Sequence, residues 1–175
     1  LLLLAAGQEG KLKLAPEATN LTALVTSLVS AWTPAAEEAG LTIGAKAPKP
    51  ITAKVDPVAI ERVLTNLVSN AVKYTPRGGA VELELVEDAD GIRISVLDNG
   101  KGISDDLMKR LFGRFERADG EHRKITGTGI GLSLVKQLVE QHGGTVQAVA
   151  RSGGGTEMRV RLPASVVMTQ TKTGP

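Results

Sequence analysis

Apolar residues recur every three or four positions in three stretches of the chain, which predicts three amphipathic helices. The stretches cover 20–38, 56–74 and 130–141. The second stretch opens with Asp56 and Pro57, an acidic helix cap followed by proline at the first helical position. Each helix therefore has a predicted first residue and an apolar face that is expected to pack against the rest of the protein.

Alternation of apolar and polar residues predicts the strands. They are expected at 11–15, 41–46, 81–86, 92–97, 145–150 and 157–162. The stretch 103–128 is polar and weakly periodic, so we predict no element there. Helices mixed with mostly antiparallel strands predict an α+β fold, with three main helices on one face of a mixed sheet.

Composition narrows the class of protein. The 175 residues are 42% hydrophobic and 23% charged, which is typical of an ordinary globular chain. A net charge of +2 gives no indication of a nucleic-acid partner, and the absence of cysteine excludes disulfides and thiolate metal sites. No apolar run approaches the roughly 18 residues that span a membrane. Because the chain begins without methionine, we expect it to be part of a longer protein.

The stretch "GTGIGLSLVKQLVEQHGG" places glycines at 127, 129 and 131 directly before the third helix. A glycine-rich backbone that opens a helix suits phosphate, because the unpaired N–H groups and the dipole attract anions. Leu132 and Ser133 follow where a P-loop needs lysine and Ser/Thr, and Leu132 also replaces a glycine of the dinucleotide fingerprint. The loop therefore predicts a phosphate site of another class, with a plain turn as the alternative.

Polar residues border the apolar stripe of the second helix. Arg62, Asn66, Asn70 and Lys73 follow one another at spacings of four, four and three, so they share a face. Asparagine is disfavoured inside a helix, and its amide oxygen suits Mg²⁺, which takes one or two protein oxygens together with phosphates and water. This face predicts a magnesium and phosphate site, with an ordinary polar helix border as the alternative.

The stretch "LDNGKGI" ends a predicted strand with Asp98, and Gly100 and Gly102 follow. A carboxylate accepts hydrogen bonds and would repel phosphate, so it suits the adenine end of a nucleotide, where an amino group donates. The alternative is a common Asn-Gly turn. The residue types thus predict discrimination of adenine from guanine.

Taken together, these segments resemble the ATP-binding catalytic domain of bacterial sensor histidine kinases, within the superfamily of gyrase B, MutL and the heat-shock chaperone ATPases. The resemblance covers roughly 11–162 and rests on four motifs in the family's order. They are "NLVSNAVKYT" (66–75), "DNGKGI" (98–103), "LFGRFERAD" (111–119) and the glycine loop with its helix (127–144). The resemblance implies a Bergerat-type two-layer α/β sandwich.

The resemblance also implies a domain organisation. Residues 1–10 are similar to the end of the second dimerisation helix and its junction. Residues 11–163 would form the ATP-binding domain, and 164–175 a C-terminal tail expected to be disordered. Residues 117–128 would form a mobile lid over ATP, and His122 is expected to be a lid residue.

Residue roles follow from the resemblance, one position at a time. Asn70 matches the Mg²⁺ ligand, and Asn66 stands where gyrase-type relatives carry a catalytic glutamate. Arg117 matches an arginine that reaches the γ-phosphate during transfer, so Asn66, Lys73 and Arg117 are the implied catalytic residues. The implied nucleotide-binding residues are Asn66, Asn70, Lys73, Tyr74, Asp98, Gly100, Gly102, Ile103, Arg117, Gly127, Thr128, Gly129, Ile130, Gly131 and Leu132.

The activity implied is transfer of the ATP γ-phosphate, with Mg²⁺, to a histidine on a separate dimerisation domain of the same protein. The phosphoryl group would then pass to an aspartate of a response-regulator receiver domain. The whole protein would be a homodimer anchored in the bacterial inner membrane, with this domain in the cytoplasm and no nucleic-acid partner. His142 ends the third helix, where a partly charged imidazole would favour the helix dipole.

Three alternatives use the same nucleotide motifs. An anti-sigma-factor-type serine kinase is disfavoured by the junction segment 1–14 and by the full 111–119 motif. An ATPase clamp protein would need a glutamate at position 66, which this chain lacks. A degenerate ATP-sensing module without transfer activity is disfavoured because Asn70, Lys73, Asp98 and Arg117 are all present.

Overall fold

The computed structural model of the protein describes residues 12–112 and 130–169. Strands and helices are numbered in chain order within these ranges. They are β1 (Glu17–Asn20), α1 (Leu21–Glu38), β2 (Thr42–Lys46), β3 (Thr52–Val55), α2 (Pro57–Tyr74), β4 (Ala80–Asp88), β5 (Gly91–Asp98), α3 (Asp105–Arg110), α4 (Ile130–Gln141), β6 (Thr145–Ala150), β7 (Thr156–Pro163) and β8 (Val167–Met168).

Five strands form the main sheet, in the order β2-β4-β5-β7-β6. β2 runs parallel to β4, and the other neighbours are antiparallel. A smaller antiparallel sheet has the order β1-β3-β8. The predicted α+β fold with a mixed, mostly antiparallel sheet is confirmed, and the small second sheet is an addition to it.

The core lies between the main sheet and the helices α1, α2 and α4. Alternate residues of β4, β5 and β7 point to the helices, so that the other residues of these strands form an outer face. Each fully buried aliphatic side chain contributes roughly 1.5–3 kcal/mol relative to an exposed one. The largest are Leu21, Ile51, Ile60, Leu64, Leu67, Leu83, Leu85, Ile92, Ile94 and Leu162.

The predicted helix starts are explained by their caps. The side chain of Asn20 accepts a hydrogen bond from the Ala23 N–H at 2.9 Å. Asp56 Oδ1 accepts from the Ala59 N–H at 3.0 Å, and Pro57 follows as the first helical residue. These side chains satisfy N–H groups that the first turn of a helix leaves unpaired.

The strand predicted at 11–15 is wrong, because residues 12–16 form no ladder and the first strand begins at Glu17. The Ala15 N–H instead donates to Asp56 Oδ2 at 2.9 Å, so this segment lies against the start of α2. The N–H groups of Ala15 and then Ala59 lower the pKa of the Asp56 carboxyl. The segment therefore gains its hydrogen bond from a helix cap, which a local alternation pattern does not encode.

Besides β1 and β8, neither β3 nor α3 was predicted. β3 is four residues long and pairs with β1 and β8, which are distant in sequence. α3 lies inside the stretch for which no element was predicted, and it is capped by Ser104, whose hydroxyl accepts from the Leu107 N–H at 3.4 Å. Both are too short to show a clear period.

Regular structure continues past Pro163, where the sequence indicated a tail without pattern. Ala164–Val166 form a 3₁₀ turn, and Ala53 of β3 pairs with Val167. Val166 and Val167 pack against the core, which explains why the fold extends to Met168. Within residues 12–112 and 130–169, no helix combines the length and apolar character that crossing a membrane requires.

Candidate functional site

Asp98 lies at the end of β5 and faces the helices. Its Oδ1 accepts hydrogen bonds from the Gly100 N–H at 2.9 Å and the Thr156 N–H at 3.3 Å. No residue in the described part of the chain donates to its Oδ2. The side chain is therefore held through one oxygen, and the other is available to a donor on a ligand.

Gly100 and Gly102 form a wall beside Asp98. A Cβ at Gly100 would lie 3.0 Å from Asp98 Oδ1 and 3.3 Å from the Tyr74 carbonyl oxygen. A Cβ at Gly102 would lie 3.4 Å from the Gly155 carbonyl oxygen, and Ile103 is half-buried next to it. A side chain at Gly100 would be crowded against Asp98 and the end of α2, and Gly102 has φ +77°, a conformation that favours glycine.

The polar face of α2 carries the residues predicted for metal and phosphate. The Asn66 amide donates from Nδ2 to the Arg62 carbonyl at 2.9 Å. Asn70 is half-buried and makes no hydrogen bond to another described residue. Lys73 and Tyr74 end the helix, with the Lys73 ammonium 5.4 Å from the centre of the Tyr74 ring. This contact is within the range of a cation–π interaction.

The start of α4 meets this face of α2. A Cβ at Gly131 would lie 3.1 Å from Asn66 Oδ1, so the two helices are in close contact here. Ile130 is the first residue of α4, and Leu132 packs against the core. The structure thus brings Asn66 next to the first turn of α4.

Several predicted residues lie outside the described ranges. They are Arg117, Gly127, Thr128, Gly129 and the predicted lid 117–128, including His122. Of the 111–119 motif, the structure describes only Leu111 and Phe112, and Phe112 packs against the core. These residues stay predictions.

Two contacts of the site were missed in the sequence, and both come from the β6–β7 hairpin. Thr156 donates its N–H to Asp98, and Arg151 Nη1 donates to the Asp98 carbonyl oxygen at 2.6 Å. The sequence signal was the run "SGGG" (152–155), which we interpreted only as a hairpin turn. Three consecutive glycines leave the backbone free to fold onto a neighbouring strand.

His142 lies just beyond α4, and its environment corrects the charged interpretation. Its Nε2 accepts a hydrogen bond from the Asp56 N–H at 3.1 Å. Its Nδ1 lies 2.7 Å from the Leu138 carbonyl oxygen, to which it must donate. Since one ring nitrogen accepts and the other donates, the imidazole is neutral and joins the end of α4 to the start of α2.

Comparison with known proteins gives consistent results for sequence and structure. The family profile described as "Histidine kinase-, DNA gyrase B-, and HSP90-like ATPase" matches residues 55–166. The hybrid signal transduction histidine kinase D of Dictyostelium discoideum is 40% identical over 163 residues, covering 89% of this chain and 10% of that protein. The sensor histidine kinase TmoS of Ectopseudomonas mendocina is 38% identical over 147 residues, covering 82% of this chain and 15% of that protein.

Among solved structures, full-length ShkA in complex with AMPPNP matches with a TM-score of 0.80 and 27% sequence identity. The match covers 93% of this chain and 33% of that one. The chain thus spans about a third or less of the length of these relatives. The resemblance predicted from the four motifs is confirmed, and the chain belongs to the histidine kinase-, DNA gyrase B- and HSP90-like ATPase family.

Proposed function

We propose that this domain binds ATP and presents its γ-phosphate to a histidine on a separate dimerisation domain. The proposal rests on the hydrogen bonds of Asp98. Two backbone N–H groups donate to its Oδ1, and no described residue donates to its Oδ2. The carboxylate faces the same layer as the polar side of α2 and the start of α4. In a nucleotide bound there, the base contacts the end of β5, and the phosphates contact α2 and the start of α4.

At the base end, Asp98 Oδ2 accepts from the amino group of adenine. A 6-oxo purine presents an acceptor at that position and would be repelled, so the site selects adenine. Gly100 and Gly102 leave room for a flat ring, and the half-exposed Tyr74 contacts the adenosine moiety. Selectivity in this arrangement depends on how firmly the carboxylate is oriented.

At the phosphate end, the N-terminus of α4 and the glycines before it bind oxygens of the phosphate groups. Lys73 adds positive charge from α2, and Arg117 reaches the γ-phosphate during transfer. Little covalent chemistry is required of the protein in phosphoryl transfer, so positioning and charge neutralisation supply most of the rate.

The polar face of α2 supports a Mg²⁺ ion bound together with the phosphates. In the described ranges, no group of three or more His, Asp or Glu side chains is arranged to hold a metal ion. The half-buried Asn70 instead offers an amide oxygen that no described donor uses. One protein oxygen, completed by phosphate oxygens and water, is a usual arrangement for Mg²⁺, which would neutralise phosphate charge.

Asn66 favours transfer over hydrolysis. An amide has no basic oxygen comparable to a carboxylate, and the Asn66 Nδ2 is engaged with the Arg62 carbonyl. A water near the γ-phosphate therefore receives no general base from this position. This feature supports a kinase rather than an ATPase clamp.

The partners follow from the same proposal. The acceptor histidine belongs to a dimerisation domain of the same protein, which acts as a homodimer. The phosphoryl group then passes to the aspartate of a response-regulator receiver domain. We propose that the whole protein is anchored in the inner membrane of a bacterium, with this domain on the cytoplasmic side.

Radiolabelled ATP tests the proposal. The chain should bind ATP, remain unlabelled alone, and label a histidine-bearing dimerisation domain added in trans. The label should be acid-labile, as expected of phosphohistidine, and an acceptor with histidine replaced by glutamine is the control. Acid-stable label on a serine would instead favour the anti-sigma-type kinase, and rapid phosphate release without an acceptor would favour an ATPase. Nucleotide binding without transfer would indicate a sensing module.

A further inference from the structure

Arg151 differs from the other arginines of the neighbouring strands. Arg93, Arg159 and Arg161 form ion pairs with carboxylates on the outer face of the sheet. Arg151, in the β6–β7 turn, instead donates from Nη1 to the backbone carbonyl of Asp98 at 2.6 Å. Its guanidinium is thus placed against the residue on which nucleotide selection depends.

The bond replaces a missing strand contact. The β5–β7 ladder ends with the pair Leu97 and Glu157, one residue before Asp98. β7 begins at Thr156, and Gly155 just before it has φ +96° and lies so close to β5 that a Cβ there would collide with the Asp98 carbonyl oxygen. A charged donor on this carbonyl is stronger than the neutral N–H that a longer ladder would supply.

The turn itself is closed around Arg151. The Arg151 N–H donates to the Gly155 carbonyl at 3.2 Å, and the Gly154 N–H donates back to the Arg151 carbonyl at 3.2 Å. Thr156, next along the chain, supplies the longer of the two hydrogen bonds to Asp98 Oδ1. The guanidinium, the turn and the carboxylate are therefore linked in one chain of contacts.

We propose that Arg151 is a positioning residue for adenine recognition, which holds the β6–β7 turn on Asp98 so that Oδ1 keeps both N–H donors and Oδ2 faces the ligand. The inference rests on the proposed function of Asp98. Without the guanidinium, the turn is released from the Asp98 carbonyl and the Thr156 bond lengthens further. The carboxylate can then rotate, and the site tolerates a purine without the 6-amino group.

The test compares ADP with inosine diphosphate, which carries oxygen in place of the amino group. Arg151→Met keeps the apolar stem and removes the donors, whereas Arg151→Lys keeps a charged donor group. Dissociation constants for both nucleotides are measured by calorimetry in the same Mg²⁺ buffer. Arg151→Met should lower the ADP-over-IDP preference about tenfold, the scale expected for one charge-assisted hydrogen bond, and Arg151→Lys should restore most of it.

Arg159→Met is the matched control, because it removes an arginine from β7 on the outer face of the sheet. It should lower the thermal midpoint without changing the ADP-over-IDP preference. An unchanged preference in Arg151→Met, or an equal loss of affinity for both nucleotides, would overturn the positioning role while leaving the proposed function intact. Failure of the wild-type chain to bind ADP would overturn the proposed function and this inference together.

Discussion

The two faces of the five-stranded sheet each carry an acidic side chain where β5 ends and β7 begins, and the two carboxylates have different hydrogen-bond partners. On the outer face, Glu157 Oε1 accepts from Ser95 Oγ at 2.7 Å and from Arg159 Nε at 2.9 Å. Its Oε2 accepts from Arg159 Nη2 at 2.9 Å. On the helix face, the described residues that donate to the Asp98 carboxylate donate only to its Oδ1. A carboxylate with both oxygens engaged stabilises a fold, whereas one with a free oxygen can also bind a ligand.

The hydrogen-bond donors to Glu157 and to Asp98 differ in charge as well as in number. The Arg159 guanidinium, together with the Ser95 hydroxyl and the charge of Arg93, lowers the pKa of Glu157 to about 2 despite its burial. The donors to Asp98 Oδ1 are neutral backbone N–H groups. Among residues 12–112 and 130–169, none forms an ion pair with the Asp98 side chain, so its orientation comes from neutral donors and its carboxylate can act on a donor from the ligand.

Removing the acceptor on the helix face should have the largest effect. Asp98→Asn keeps the shape of the side chain but can turn an N–H₂ toward the adenine amino group. We expect the affinity for ADP to fall about 10- to 100-fold, which corresponds to roughly 1–3 kcal/mol for an unsatisfied buried donor. Calorimetry measures the affinity, and circular dichroism checks that the fold is retained. Equal affinity in the variant would mean that Asp98 only shapes the turn.

A second prediction separates the metal from the base. Asn70→Ala should weaken ATP binding about tenfold in Mg²⁺ and have little effect in EDTA, because it removes the one amide oxygen proposed for the ion. Ser69, exposed one position earlier on α2, provides the control variant Ser69→Ala. Titration of Mg²⁺ at fixed nucleotide gives the comparison. If wild type and Asn70→Ala respond identically to Mg²⁺, Asn70 is not a ligand.

The sequence predicted the parts of the fold that depend on local signals. α1, α2 and α4 follow from an apolar face in each, and the caps Asn20 and Asp56 place the starts of the first two. β3 was missed because its partners β1 and β8 lie far from it in sequence, so four residues carry no signal of their own.

For the site, too, the sequence predicted only what local residue types indicate. Asp98 and Asn70 were chosen because their residue types suit adenine and Mg²⁺. The contacts of Arg151 and Thr156 depend on a turn that folds back over more than fifty residues onto β5. Long-range register of this kind is not visible in a local pattern, and a run of glycines marks only the place where it can occur.

The smallest effect is expected on the outer face, where Glu157→Gln should leave ADP affinity unchanged and lower stability. The variant weakens the bonds from Arg159 and Ser95, and we expect a loss of about 1–2 kcal/mol in the free energy of unfolding near pH 7. Urea denaturation measures this loss. Asp88→Asn is the matched control, because Asp88 pairs with Arg161 on the same side of the sheet but is exposed, so its loss should not be measurable.

The pH dependence of the stability difference between the wild type and Glu157→Gln shows whether the charge of Glu157 causes that difference. Because folding lowers the pKa of Glu157 from 4.5 to about 2, its contribution is complete above the unfolded value and is lost as pH falls. The stability of the wild type relative to Glu157→Gln should therefore be constant above roughly pH 5.5 and shrink between about pH 4.5 and 2. Other carboxyls with lowered pKa values, such as Asp56, occur in both proteins and cancel in the difference. A difference that stays constant down to pH 2 would show that packing of the side chain, and not its charge, stabilises the outer face.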